Sequence, residues 1–131
     1  MMKYKKILLV DDDMDDRLIL AELLRETDED GLMIFAENGL EMVAILGKTE
    51  DDDLPEMIIL DQNMPKMTGK ESLIFLKESP RYQHIPTIIY STFQVKDFFR
   101  ECLELGAWDV IAKPDTMQAY REMIEQFLVL R

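Results

Sequence analysis

Short apolar runs alternate with amphipathic segments along this chain. The runs are mostly apolar and several end at aspartate, serine or lysine, which is typical of strands that finish in a turn. The segments between them repeat apolar residues at helical spacing. The first begins with Asp15 and Asp16, where the helix dipole favours acids, and Gly47 is the predicted stop of the second. We predict strands over residues 6–10, 32–36, 57–60, 86–90 and 108–112, and helices over residues 15–27, 40–46, 70–77, 95–105 and 117–130.

This order of elements predicts an α/β fold. Five strands that alternate strictly with five helices imply parallel strands joined by right-handed crossovers, with helices on both faces of the sheet. The near-continuous apolar character of the strands fits a sheet that is buried on both sides. We therefore expect a five-stranded parallel sheet in a doubly wound (βα)5 arrangement. Residues 1–131 are predicted to form a single domain, with no room after the fifth helix for an output domain.

Net charge limits the kinds of partner that this chain can bind, and cysteine content indicates its compartment. The net charge is −12, which disfavours binding to nucleic acid and to anionic membranes. One cysteine, Cys102, excludes an internal disulfide and fits a reducing compartment. Because neither a signal peptide nor a membrane-spanning segment is evident, we predict a cytoplasmic protein.

Polar side chains with related chemistry follow four of the five predicted strands. Asp11, Asp12 and Asp13 follow the first strand, Asp61 the third, Ser91 and Thr92 the fourth, and Lys113 the fifth. Ligands of open parallel sheets bind beyond the carboxyl ends of the strands, so these residues should converge on one edge. Several carboxylates close together repel one another unless a cation neutralises them, and Mg²⁺ prefers oxygen ligands. The cluster therefore predicts a Mg²⁺ site that a phosphorylated group completes.

The same residues suggest phosphoryl transfer. An aspartate carboxylate can attack phosphorus to form an aspartyl phosphate, and Asp61 is the candidate nucleophile. Lys113 suits pairing with a phosphoryl oxygen, and Ser91 offers a hydroxyl donor. Each residue alone has a plainer interpretation as a turn former, a helix cap or a solvent-facing side chain. Their coincidence at four strand ends favours the chemical interpretation.

The motifs resemble a known family, the receiver domains of response regulators in two-component systems. Residues 7–13 (ILLVDDD) resemble the opening of these domains, and residues 58–69 (IILDQNMPKMTG) resemble their phosphoacceptor segment. Residues 86–92 (PTIIYST) and 106–114 resemble the fourth strand and the lysine-bearing fifth strand. The resemblance covers roughly residues 5–130. It implies a flavodoxin-like receiver fold similar to that of the chemotaxis regulators, in a small stand-alone regulator.

The resemblance also implies roles for individual residues. Asp61 would be the phosphoacceptor, Ser91 would turn toward the phosphoryl group, Thr92 would offer its backbone N–H, and Lys113 would pair with the phosphoryl group. The Lys113–Pro114 peptide bond would be cis. The implied ligands of Mg²⁺ (or Mn²⁺) are Asp11, Asp12, Asp61 and the backbone carbonyl of Asn63.

The implied function is a signalling switch rather than an enzyme that turns over a metabolite. It would catalyse only its own phosphorylation and dephosphorylation, taking the phosphoryl group from a sensor histidine kinase or a phosphotransfer protein and signalling to an unidentified downstream protein. Residues 79–86 (SPRYQHIP) resemble a subgroup of stand-alone regulators, some of which are paired with phytochrome-type kinases.

Two positions depart from the family pattern, and one of them is Thr92, where many members have a smaller residue. Many members carry Tyr or Phe three residues before the lysine, where this chain has Val110. The usual coupled movement of a Ser/Thr and an aromatic ring therefore cannot operate through Val110. Three other function classes stay open: a phosphohydrolase with an aspartate nucleophile, which would need an acid where Asn63 stands; a binding module that signals without phosphate; and an FMN binder, whose phosphate the Asp11–Asp13 triplet would repel.

Apolar residues near the end of the chain suggest a contact surface. Met117, Tyr120, Ile124 and Phe127 form the predicted core stripe of the last helix. Met123, Val129 and Leu130 fall beside this stripe, and Phe98 and Phe99 are adjacent, so at most one of the two can point fully into the core. The three residues beside the stripe, with one of the two phenylalanines, are either incidental surface or a homodimer face or partner groove, and we favour a contact surface.

Overall fold

The structure, a computed structural model, describes residues 6–27, 31–92 and 96–128. The strands are β1 (Lys6–Val10), β2 (Leu32–Ala36), β3 (Met57–Asp61), β4 (Thr87–Ser91) and β5 (Asp109–Ala112). The helices are α1 (Met14–Thr27), α2 (Gly39–Lys48), α3 (Gly69–Glu78), α4 (Lys96–Glu104) and α5 (Met117–Leu128), and a 3-10 turn (Asp51–Asp53) precedes β3. No helix of the described residues is long and apolar enough to span a membrane.

The five strands form one parallel sheet in the order β2-β1-β3-β4-β5. The chain moves outward from β1 to β2, then crosses to β3 on the other side of β1. This reversal makes the gap between the carboxyl ends of β1 and β3 the switch point at which open α/β sheets bind ligands. The predicted fold class is confirmed. Asp11 directly follows β1 and Asp61 is the last residue of β3, so both residues lie beside this switch point.

Strand alternation divides the core between the two faces of the sheet. The α1/α5 face buries strand residues such as Ile7, Ile59 and Tyr90 against these two helices. The α2–α4 face buries Leu8, Leu60 and Val110, among others, against the other three helices. Both clusters are almost fully buried, so helices cover the sheet on both sides, as the apolar strands predict.

Local signals fix the ends of the middle helices. The Asn38 side chain accepts from the Glu41 N–H at the start of α2, and Thr68 forms a capping box with Glu71 at the start of α3. The predicted stop at Gly47 is wrong, because α2 continues to Lys48. The helix ends where the Thr49 N–H bonds to the Leu46 carbonyl at 3.2 Å.

The predicted surface on α5 is partly wrong. Met123 is 5% exposed and belongs to the α1/α5 face, whereas Met117, assigned to the core stripe, is 50% exposed. The helix turns Met123 inward because α1 and the sheet enclose this side of α5. Phe98 and Phe99 are both half-buried against the core, with their ring centroids 6.3 Å apart. Val129 and Leu130 lie outside the described residues.

Two glycines of α2 should respond in opposite ways to alanine. A Cβ on Gly39 would stand 2.7 Å from the Met67 Cβ and would also meet the Ser72 Oγ, whereas a Cβ on Gly47 would meet nothing within 4 Å. We expect Gly39→Ala to destabilise the protein by about 1–3 kcal/mol through overpacking. Gly47→Ala, the matched control, should stabilise it by about 0.5–1 kcal/mol. Urea unfolding measures both, and equal effects of the two variants would contradict this packing.

Candidate functional site

Three carboxylates meet at the carboxyl edge of the sheet. Asp11 and Asp61 are 0% and 1% exposed, and Asp12 is exposed. One carboxylate oxygen from each of the three residues lies within 4.8 Å of the others. The structure therefore brings together the three side chains that the sequence analysis named as metal ligands, and all the donors are the hard oxygens that Mg²⁺, Ca²⁺ and Mn²⁺ favour.

Backbone and side-chain hydrogen bonds fix Asp11. Its N–H donates to the Ala36 carbonyl at 3.0 Å and thereby extends the β1–β2 pairing past the end of β1. Its Oδ1 accepts from the Asp13 N–H at 2.9 Å, and its Oδ2 accepts from the Tyr90 hydroxyl. Arg17 on α1 donates to its carbonyl at 3.0 Å. The Asp11 carboxylate is thus held in one orientation by β4 and by the turn before α1.

Asp61 is held by the loop that follows β3. Its Oδ1 accepts from the Asn63 N–H at 3.1 Å, and its Oδ2 faces the Lys113 ammonium at 3.2 Å. The loop returns so closely that a Cβ on Gly69 would stand 2.7 Å from the Asp61 carbonyl oxygen. The Lys70 N–H donates to the Gln62 Oε1 at 2.7 Å and closes the loop at the start of α3.

Lys113 lies among three carboxylates. Its Nζ is 2.8 Å from Asp16 Oδ2, 3.2 Å from Asp61 Oδ2 and 3.7 Å from Asp11 Oδ2. The ammonium also lies 5.3 Å from the centroid of the Tyr90 ring, a distance typical of cation–π contacts. Lys113 therefore contacts Asp61, but the shortest of its three contacts is with Asp16 on α1.

The pKa values of the two buried acids are raised mainly by burial. Burial raises the pKa of Asp11 to about 7, although the hydrogen bonds from Tyr90 and from the Asp13 N–H lower this pKa in part. Burial also raises the pKa of Asp61, and Lys113 opposes that shift. Burial alone would lower the pKa of Lys113, but the hydrogen bond to Asp16 and the neighbouring carboxylates raise it overall. One ammonium does not neutralise this cluster, so the donor set fits a divalent cation.

The predicted switch residues occupy the same edge. Ser91 ends β4, is 3% exposed, and its carbonyl accepts from the Lys113 N–H at 2.8 Å. The Thr92 N–H, predicted to bind a phosphoryl group, donates to the Asn63 Oδ1 at 3.2 Å. Val110 is buried on the α2–α4 face with no polar side-chain atom.

The prediction of a cis bond before Pro114 is wrong in this structure. No cis peptide bond occurs among the described residues, which include Lys113 and Pro114. The trans form is the ordinary state of an X–Pro bond, favoured by about 0.5–1 kcal/mol.

Sequence reasoning missed three residues that complete the site. Asp16 accepts from the Tyr120 hydroxyl at 2.7 Å through Oδ1 while its Oδ2 contacts Lys113, and Tyr90 binds Asp11. Asp16 was assigned only to a helix start and Tyr120 only to the core. Strand alternation contained a signal for Tyr90, because Ile88 and Tyr90 share the face of Ile7 and Leu9. Strand alternation shows that Tyr90 lies near Asp11 only when the order of the strands in the sheet is known.

Comparisons with known proteins agree with this geometry. Residues 7–125 match the response regulator receiver domain family. Response regulator Rcp1 of Synechocystis is 30% identical over 124 residues, which cover 92% of this chain and 84% of Rcp1. The two-component response regulator ORR5 of rice (Oryza sativa) is 36% identical over 108 residues, covering 82% of this chain and 77% of ORR5.

Solved structures with the same fold include two response regulators, RcpA and Rcp1. The phosphorylated cyanobacterial phytochrome response regulator RcpA superposes with a TM-score of 0.82 at 27% identity, covering 93% of this chain and 92% of RcpA. The Mn²⁺-bound form of Rcp1 gives a TM-score of 0.82 at 29% identity, covering 94% and 93% of the two chains. The sheet order, the acidic cluster at its carboxyl edge and these matches lead to one assignment: this chain belongs to the response regulator receiver domain family of two-component signalling.

Proposed function

We propose that this protein is a phosphorylation-dependent switch that accepts a phosphoryl group on Asp61 in a Mg²⁺-dependent reaction. The observation that carries the proposal is the position of the Asp61 carboxylate. It is buried at the end of β3, 3.2 Å from the Lys113 ammonium, and within 4.8 Å of carboxylate oxygens of Asp11 and Asp12. Phosphoryl transfer needs a nucleophile, a cation and metal-binding acids close together, and all three are present at the carboxyl edge of the sheet.

The chemistry follows from these groups. A carboxylate oxygen of Asp61 forms a bond to the phosphorus of a phosphohistidine or a small acyl phosphate. The bond between phosphorus and the leaving nitrogen or oxygen breaks, and its electron pair stays with the leaving group. Lys113 compensates the charge of the transferred group, and hydrolysis of the acyl phosphate by water restores the Asp61 carboxylate.

Asp11, Asp12 and the Asn63 carbonyl, together with Asp61, would hold the metal. Bound Mg²⁺, or Mn²⁺ in its place, would neutralise negative charge on the phosphoryl oxygens and on the acids. A related protein, Rcp1, has been solved in a Mn²⁺-bound form. The Tyr90 hydroxyl and the Asp13 N–H orient the Asp11 carboxylate for this role, as outer partners of metal ligands commonly do.

Ser91 and Thr92 would contact the phosphoryl group from β4. The Thr92 N–H is engaged by the Asn63 side chain at 3.2 Å, so binding a phosphoryl oxygen requires this hydrogen bond to open. Since Asn63 is exposed, its side chain can turn into solvent when it releases the Thr92 N–H. The Asn63 side chain thus accepts the hydrogen bond of the Thr92 N–H until a phosphoryl oxygen replaces it.

A histidine kinase or a phosphotransfer protein is the proposed phosphodonor, and a further protein reads the switch. Two similar proteins are RcpA, a cyanobacterial phytochrome response regulator, and Rcp1, a response regulator of Synechocystis. Together with residues 79–86, they support a phytochrome-type kinase as a candidate donor. The homodimer stays a prediction, because Val129 and Leu130 lie outside the described residues and Met123 is buried.

Intact-protein mass spectrometry after incubation with a small acyl phosphate and Mg²⁺ tests the phosphoryl transfer. The wild type should gain one phosphoryl group, and Asp61→Asn or removal of Mg²⁺ should abolish the gain. Asp12→Asn should slow it on the order of tenfold or more, since a metal ligand is lost. Asp13→Asn is the matched control, because Asp13 caps α1 through Oδ1, which Asn also provides, and it should retain most of the rate.

No mass gain in folded wild-type protein, from either the acyl phosphate or a candidate kinase, would contradict the proposal. That result would favour a receiver-like binding module that signals without phosphate. A gain that survives in Asp61→Asn would move the phosphoacceptor to another residue.

The buried acids should also make the metal-free protein less stable as pH rises. With its pKa raised to about 7, Asp11 binds more protons in the folded state than in the unfolded state between roughly pH 4 and 7. Its contribution to the free energy of unfolding is therefore full at low pH and is lost as pH rises through about 7. Asp11→Asn removes this loss, so at pH 8 without metal it should raise the Tm on the order of 5 °C.

Mg²⁺ should reverse the order of the Tm values, so that the wild type melts at a higher temperature than Asp11→Asn. It should raise the Tm of the wild type at pH 8 because it binds only the folded state, and it should raise that of Asp11→Asn much less. Differential scanning calorimetry with EDTA and with Mg²⁺ measures both effects, with Asp13→Asn as the control. A metal-free Asp11→Asn protein that melts below the wild type at pH 8 would contradict this account.

A further inference from the structure

Lys113 links the phosphoacceptor to a residue of α1. Its Nζ is 2.8 Å from Asp16 and 3.2 Å from Asp61, and Lys113 and Asp16 expose only 18% and 15% of their side chains. An ammonium has three donors, so its position among its acceptors depends on the negative charge that each of them carries. A change of charge at Asp61 must therefore alter the contact between Lys113 and Asp16.

Asp16 in turn links Lys113 to α5. Its second oxygen accepts from the Tyr120 hydroxyl at 2.7 Å, and Tyr120 is 4% exposed within the α1/α5 face. Burial and the bond to Asp16 raise the pKa of Tyr120, so its hydroxyl remains a donor. A buried hydroxyl that loses its acceptor is unfavourable, and the helix that carries it must then shift to find another. Lys113, Asp16 and Tyr120 thus form a continuous chain of contacts, the Lys113–Asp16–Tyr120 chain, from the phosphorylation site to the interface between α1 and α5.

We propose that the Lys113–Asp16–Tyr120 chain transmits phosphorylation of Asp61 to the packing of α5 against α1. The inference rests on the proposed function, because the phosphoryl group is its input. Phosphorylation replaces a single carboxylate charge by a group of about −1.5 to −2 with three acceptor oxygens. Lys113 moves toward that group and away from Asp16. Asp16 then lacks its cation among other acids, turns toward solvent, and releases Tyr120.

The rest of the α1–α5 interface would respond to this release. Besides the Asp16–Tyr120 bond, an ion pair joins the two helices, between Arg121 and Glu26 at 2.8 Å. Its side chains are 43% and 48% exposed, and exposed pairs stabilise little. Val110 lies on the opposite face of the sheet and has no polar side-chain atom to carry a signal there. The α1–α5 interface is therefore the part of the described fold whose packing would respond to phosphorylation.

Amide hydrogen exchange measured by mass spectrometry tests the chain of contacts. Exchange of peptides from α1 and α5 is followed in the full protein with Mg²⁺, with and without a small acyl phosphate, and phosphoryl occupancy is read from the intact mass. In the wild type, phosphorylation should speed exchange in these peptides at least about threefold. In Asp16→Asn and Tyr120→Phe, the unphosphorylated proteins should already exchange faster, and the effect of phosphorylation at matched occupancy should fall below half of the wild-type change.

Two control variants separate this chain from general loosening. Tyr82→Phe removes a buried tyrosine hydroxyl on the α2–α4 face, where its partner is Arg81. Arg121→Gln breaks the exposed α1–α5 ion pair without touching Lys113. Both should retain the full wild-type response to phosphorylation. Loss of the response in Arg121→Gln as well would overturn the specific role of Asp16 and Tyr120.

The remaining outcomes distinguish this inference from the proposed function. A wild-type mass gain without a change in α1 and α5 exchange, or a full response in both Asp16→Asn and Tyr120→Phe, would overturn only the chain of contacts. A wild type that gains no phosphoryl group would overturn both proposals, because the chain would then have no input.

Discussion

The burial of two carboxylates side by side, Asp11 after β1 and Asp61 at the end of β3, is the constraint on which the rest of the site depends. Charge buried without compensation is costly, and one ammonium, Lys113, faces three acids. The protein limits this cost with directed hydrogen bonds from Tyr90 and from the backbone of Asp13 and Asn63. What remains is an excess of negative charge, and this excess is the physical basis for attraction of a divalent cation.

The residues at the carboxyl edge of the sheet continue two different faces. Asp11 and Asp61 follow the strand alternation of the α1/α5 face, and Lys113 reaches them there. Ser91 follows Ile89 on β4 by two residues and so continues the α2–α4 face, on which Val110 of β5 also lies. A phosphoryl group on Asp61 would stand at the edge where both faces end. It would therefore reach either set of helices, and among the described residues a continuous polar route runs from Lys113 through Asp16 to Tyr120 on the α1/α5 face.

The site illustrates how function can cost stability. Asp11 is destabilising as a buried anion, yet it cannot be replaced by an apolar residue without loss of the metal-binding set. Under the proposed function, cation binding and phosphorylation would add favourable interactions that exist only in the folded protein, and these would offset this cost. Burial raises the pKa of both acids, which is the same cost seen at the level of protonation.

The sequence by itself determined the elements, the fold class and the residues at the carboxyl edge. Apolar runs and helical spacing are local, and parallel strands bring Asp11, Asp61, Ser91 and Lys113 to one edge whatever their order. Only the tertiary structure showed that Asp16 and Tyr120 join Lys113, that Tyr90 binds Asp11, and that Met123 faces inward. These contacts join residues far apart in the chain, such as Tyr90 and Asp11. They depend on which helices pack together and which strands adjoin, and no local pattern encodes that.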